Sequence, residues 1–140
     1  MLDITNHTNC DIDSTLLEKI AKKLTPKDIE LVFVEDTQIQ QINAEFLGKD
    51  YPTDVLSFPL ESFGTNEIPL GSIIINTQKA QEVSQNLGHS LDSEIVLLFI
   101  HGLLHLLGFD HERDSGEHRA KEQEIAMAFG LPETLIVRNT

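Results

Sequence analysis

The stretch SLDSEIVLLFIHGLLHLLGFDH, residues 90–111, decides how this chain folds. Its apolar residues run almost without interruption from Ile95 to Phe109. A helix that is apolar nearly all round is buried inside a domain rather than laid on its surface. The run is shorter than the ~20 residues that a membrane span needs. It therefore predicts a central helix over about Leu91 to Leu107, with other elements wrapped round it. His101 and His105 interrupt the run, and a third imidazole follows at His111.

Working outward, LDITN at the start reads as a short strand, and residues 13–24 carry Leu16, Leu17, Ile20 and Leu24 at helical spacing before Pro26. IELVFVE (29–35) alternates as a strand does. DTQIQQINAEFLG (36–48) reads as a helix capped by Asp36 and stopped near Gly48. DVLSFPLE (54–61) and LGSIIIN (70–76) are strand candidates separated by the turn-rich SFGTNEIP. TQKAQEVSQNLG (77–88) and ERDSGEHRAKEQEIAMAFG (112–130) complete the helices. Strands early and helices late, without repeats or a dividing linker, predict one α+β domain over residues 1–140. A small mixed sheet is covered by about five helices.

Composition sets limits on function. The chain of 140 residues has 40% hydrophobic content, enough for a real core, and a single cysteine, Cys10, so no internal disulfide framework. The first fourteen residues lack the basic-then-apolar order of a signal peptide. Together these predict a soluble, cytoplasmic protein. Ten basic against 23 acidic residues, a formal charge of −13, argue against a broad basic surface and against DNA as a ligand.

The histidines carry the chemistry. Four apart on a helix, His101 and His105 share one face and can aim nitrogens at one ion, at about 2.0–2.1 Å for zinc. In a continuous helix His111 would lie about 9 Å beyond His105 along the axis, so the chain must turn back. Gly108 can make that turn, because glycine takes the left-handed conformation without strain. Buried imidazoles need partners, and a shared metal supplies one for all three. Three imidazoles without cysteine describe an open site of the catalytic kind, suited to Zn2+ and also to another divalent ion such as Ni2+. Asp110 reads either as a turn aspartate or as a further group of the site. His7, His89 and His118 read as surface residues.

The spacing matches the metzincin protease pattern H-E-x-x-H-x-x-G-x-x-H except that Gly102 stands where the general-base glutamate belongs. Glycine cannot take a proton from water, so the metal geometry is retained without the peptidase chemistry. TDVLSFP offers Asp54 and Ser57 but no G-x-S-x-G context, and serine chemistry is not expected.

HGLLHLLGFDH resembles the H-G-x-L-H-L-x-G-[YF]-D-H signature of the YbeY family, bacterial metal-dependent endoribonucleases linked to rRNA maturation. GKDYPTDVLSFPLE (48–61) and PLGSIIIN (69–76) are similar to that family's second and third motifs, so the likeness covers roughly residues 27–130. The resemblance implies one zinc-like ion on His101, His105 and His111, and cleavage of single-stranded RNA in 16S rRNA 3′-end processing. It also implies a part in ribosome maturation and quality control, with rRNA, the small subunit or assembly factors as partners. Two residues depart from the family pattern: Leu47 replaces the usual arginine and Ser72 the usual aspartate. Lys49 is then the candidate phosphate contact, as a point charge without the guanidinium fork. No catalytic residue is assigned. The departure at Leu47 favours an alternative, a ribosome-assembly binding protein whose metal is largely structural. A metallohydrolase with a small or peptide substrate rests on the metzincin-like spacing alone.

Overall fold

The apolar stretch forms the longest helix of the computed structural model, which describes residues 1–60 and 69–131. In chain order the elements are β1 (Leu2–Asn6), α1 (Thr15–Leu24), β2 (Ile29–Val34), α2 (Asp36–Leu47), β3 (Val55–Pro59), β4 (Gly71–Asn76), α3 (Thr77–Leu87), α4 (Leu91–Leu106) and α5 (Glu117–Ala128). The SFGTNEIP connection lies almost wholly outside the described residues.

The sheet runs β1-β2-β4-β3, with β1, β2 and β4 parallel and β3 antiparallel at the edge. The parallel pairs arise because α1 and α2 are interleaved between strands, where the sequence reading placed helices mainly late. A parallel pair needs a crossover, and each of these helices supplies one. The sheet is mixed and the class is α+β, as expected.

Alternation along the strands divides the core. Leu31 and Phe33 of β2 and Ile73 and Ile75 of β4 face α4, together with Leu17 and Ile20 of α1, Ala80 of α3 and Ile125 of α5. Val34, Leu56 and Ile74 face the other way, against Ile39 and Ile42 of α2. Four helices thus cover one face and α2 covers the other. Buried on nearly all sides, α4 has no exposed stripe. Ser90 caps its start by accepting from Ser93 N at 3.1 Å.

Two helix boundaries differ from expectation. The cap of α2 is Glu35, whose backbone N donates to Gln38 Oε1 at 3.2 Å. Asp36 is already helical, and its carboxylate accepts from Asn76 Nδ2 instead. The last helix begins at Glu117 rather than near residue 112, because Gly116 takes φ 108° and Asp114 folds the preceding segment into turns.

Among the described residues no single helix is long and apolar enough to cross a membrane. Ser72, the second departure from the family pattern, lies opposite Glu30 in the β2–β4 register and donates to its carboxylate at 2.9 Å. An aspartate at 72 would set two carboxylates side by side. Serine turns that repulsion into a hydrogen bond.

Candidate metal centre

The site is built where α4 ends. His101 and His105 project from its last two turns with ring centroids 4.8 Å apart. The helix stops at Leu107, and Gly108, at φ 99°, turns the chain as its sequence position predicted. Backbone bonds hold the turn: Phe109 N donates to Leu104 O at 3.0 Å, and Arg113 N and Asp114 N donate to Asp110 O. His111 is thereby returned to the helix end, 5.3 Å from the His101 ring and 5.7 Å from that of His105. One ring nitrogen from each of the three lies within 4.8 Å of the others. The structure brings together the three histidines that the spacing singled out.

The donor set fits one first-row divalent ion. Among the described residues, three imidazoles converge without a thiolate or carboxylate closing that set. His105 is held below the ordinary imidazole range, first by burial and then by the neighbouring His101 and His111. A neutral ring keeps the lone pair that a ligand needs.

Behind the three stands a layer that the sequence reading missed. Glu122 of α5 has no solvent exposure, and its Oε2 accepts from His101 Nδ1 at 2.9 Å. With the proton fixed on Nδ1, the lone pair of His101 is on Nε2, free to face an ion. His118, expected on a solvated face, is also fully buried. Its ring lies 4.9 Å from His101, 4.8 Å from His105 and 5.3 Å from His111. Burial first, and then the adjacent His101, push its pKa down to about 4. The visible signal for this layer was the H-x3-E spacing of 118 and 122, the same one-turn spacing as His101 and His105. The charges flanking it made the helix look solvated.

The remaining candidates fall into place around this centre. Gly102 faces the sheet: a Cβ there would lie 2.9 Å from Ser57 Oγ and 3.0 Å from Ile73 Cγ2. The position that carries the protease glutamate is therefore filled by the sheet. Ser57 Oγ donates to Gly102 O at 3.0 Å, a packing role that agrees with leaving serine chemistry aside. Asp110 is a turn residue whose Oδ1 accepts from Glu112 N at 3.1 Å. Lys49 is exposed just past the end of α2, where its backbone N donates to Asn43 O at 3.2 Å. Leu47, the last residue of α2, is 50% exposed. His7 is exposed, as expected, and His89 is partly exposed. Its Nε2 lies 2.8 Å from Glu94, which is 1% exposed at the start of α4.

With this geometry in view, the likenesses to known proteins are specific. The family model described as Endoribonuclease YbeY matches residues 3–130. A relative from Aliarcobacter butzleri of that name is 54% identical over the full length of both chains. One from Helicobacter pylori is 56% identical over 99% of this chain and 98% of its own. The solution structure of a Thermotoga maritima protein superposes with a TM-score of 0.63 at 27% identity, over 93% of this chain and 90% of that one. The three-histidine turn and these full-length matches lead to one assignment: the chain belongs to the YbeY endoribonuclease family.

Proposed function

We propose that this chain is a single-domain, metal-dependent endoribonuclease of the bacterial cytoplasm that cuts single-stranded RNA. Its place is in 16S rRNA 3′-end processing, ribosome maturation and quality control, with the small subunit or its assembly factors as partners. The observation that carries the reading is the group of three imidazoles at the end of α4, whose ligand atoms lie within 4.8 Å of one another. It is supported by relatives named Endoribonuclease YbeY at more than half identity.

In this reading His101, His105 and His111 hold one Zn2+, with Ni2+ an alternative of similar ligand preference. An ion held by these residues would supply Lewis-acid chemistry toward a phosphodiester. The protein's own residues do the rest. Glu122 orients His101, and burial keeps His105 neutral. Gly102 lets α4 seat on β3 and β4, which fixes the direction of both helix-borne ligands. Lys49 offers a positive charge to a phosphate as a point donor.

The test is cleavage of single-stranded RNA by wild type and His111→Ala, each with its metal content measured. Wild type cleaves and carries about one ion, and the variant loses both. Chemistry at the product ends identifies the nucleophile: a 2′,3′-cyclic phosphate reports the neighbouring 2′-hydroxyl, and a 3′-hydroxyl with a 5′-phosphate reports water. Wild type that carries its ion, associates with ribosomal subunits and leaves RNA intact would refute the nuclease reading.

A further inference from the structure

His118 is unexplained by stability. It has no solvent exposure, and neither ring nitrogen has a hydrogen-bond partner among the described residues. A leucine there would bury more apolar surface and orphan no polar atom. What the ring touches gives it a reason to be present. It stacks on His101 with planes 24° apart and meets His105 edge-on at 87°. Its Nε2 lies 3.4 Å from Glu122 Oε2, the same oxygen that accepts from His101 Nδ1 at 2.9 Å. Ligand-type atoms of His101, His118 and Glu122 all lie within 4.8 Å of one another.

We propose that His118 is a positioning residue for the metal centre. Its ring face fixes the plane of His101, and its Nε2, 3.4 Å from Glu122 Oε2, hems the carboxylate in against His101 Nδ1 by a polar contact longer than a formed hydrogen bond. The terminal torsion of a glutamate is broad and two-fold, so one hydrogen bond leaves the carboxylate free to swing. A second polar neighbour on the same oxygen narrows that freedom. Because His118 and Glu122 are one turn apart on α5, both reach His101 from the same helix face. The last helix thereby sets how His101 presents Nε2, and the ion is held from behind as well as from in front.

This rests on the three-histidine metal reading and fails separately from it. Zn2+ affinity is measured by chelator competition for wild type, His118→Leu, His118→Met and His118→Gln, alongside the melting temperature of each metal-free protein. X-ray absorption counts the imidazole ligands. Outer partners of metal-bound histidines typically contribute tenfold to a hundredfold in affinity, and a loss of that size is expected for Leu and Met. Their metal-free melting temperatures hold or rise, since a buried polar ring has gone. Gln keeps a donor near the position of Nε2 and restores part of the affinity. The ligand count stays at three throughout.

A Leu variant that binds Zn2+ as tightly as wild type overturns the proposal. So does a Gln variant no better than Leu, or an affinity loss that merely follows a loss of metal-free stability. A count of four imidazoles in wild type falling to three in the Leu variant would make His118 a ligand instead. Wild type that binds no metal would refute the underlying reading.

Discussion

Replacing Gly102 with alanine tests how tightly the metal centre is tied to the sheet. The added Cβ would meet Ser57 Oγ at 2.9 Å, Ile73 Cγ2 at 3.0 Å and Val55 Cγ2 at 3.4 Å. Optimal carbon contacts are about 3.5–4.0 Å, so α4 must lift from β3 and β4 by roughly half an ångström. Overpacking of this kind costs about 1–3 kcal/mol. Alanine returns about 1 kcal/mol over glycine in a helix interior. The net is a destabilisation of about 0–2 kcal/mol, and at this chain length that lowers the melting temperature by up to roughly 8 °C. The same displacement acts on the ion-binding geometry. His101 adjoins Gly102 and His105 is three residues on, and a ligand set tolerates only about half an ångström of displacement. Zn2+ affinity is therefore expected to fall by about tenfold or more. Thermal melts with and without chelator, together with chelator competition, measure both quantities. Ser57→Ala in the Gly102→Ala background relieves one of the contacts and recovers part of the affinity. An alanine variant with wild-type melting temperature and wild-type affinity would falsify the claim that a close α4–sheet approach sets the ligand geometry.

Three further outcomes are expected. Zn2+ at about a hundred times its dissociation constant raises wild-type stability by about 2.7 kcal/mol, seen as a higher urea midpoint, and does not do so for His111→Ala. Leu47→Arg leaves the melting temperature unchanged, because the residue is half exposed at a helix end. If an arginine there reaches a phosphate, the contact contributes about 1.5–3 kcal/mol, a tenfold to hundredfold gain in RNA cleavage; unchanged cleavage would place phosphate recognition elsewhere. Asp114 is held below the usual carboxylate range by the backbone N–H groups of Gly116 and then His118. Its depressed native pKa means that its contribution is present above the unfolded value near about 3.9 and is lost as pH falls through the lower native value. In urea titrations from about pH 5 downward, Asp114→Asn should flatten the acid limb; an unchanged slope would show that the cap is not linked to stability.

Much of the fold was legible because periodicity and burial agree in this chain. The unbroken apolar run marked α4, and Gly48, Gly88 and Gly108 marked where helices end. The three candidate ligands were legible because two imidazoles one turn apart in an apolar helix, with a third returned by a glycine turn, all need a polar partner at the same point. Glu122 and His118 were not, since Glu117, Arg119, Lys121 and Glu124 surround them in sequence. Only the packing of α5 on α4 reveals which side of that helix is dry. The partner of His89 was hidden for the same reason: Glu94 is drawn under the start of α4 by tertiary packing. The interleaving of α1 and α2 was visible in the element order, yet order alone does not say which strands become neighbours in the sheet.

Every residue of the candidate centre and its supporting layer lies within residues 101–122, whereas the parallel part of the sheet pairs Leu2 with Ile29 and Ile29 with Gly71. The centre closes a short loop, and the sheet closes long ones. Short-loop contacts form early and open independently, while pairing between distant segments is shared by the whole domain. Chelation should accordingly speed amide exchange along the turn at 107–116 and the start of α5. The amides of β2 and β4, which open only with the whole domain, should lose no more protection than the ion's binding free energy removes. A bound ion would thus act at two levels, adding its binding free energy to the whole domain and, locally, pinning the turn that joins two helices, so that its removal would loosen the site first and leave a folded scaffold ready to be reloaded.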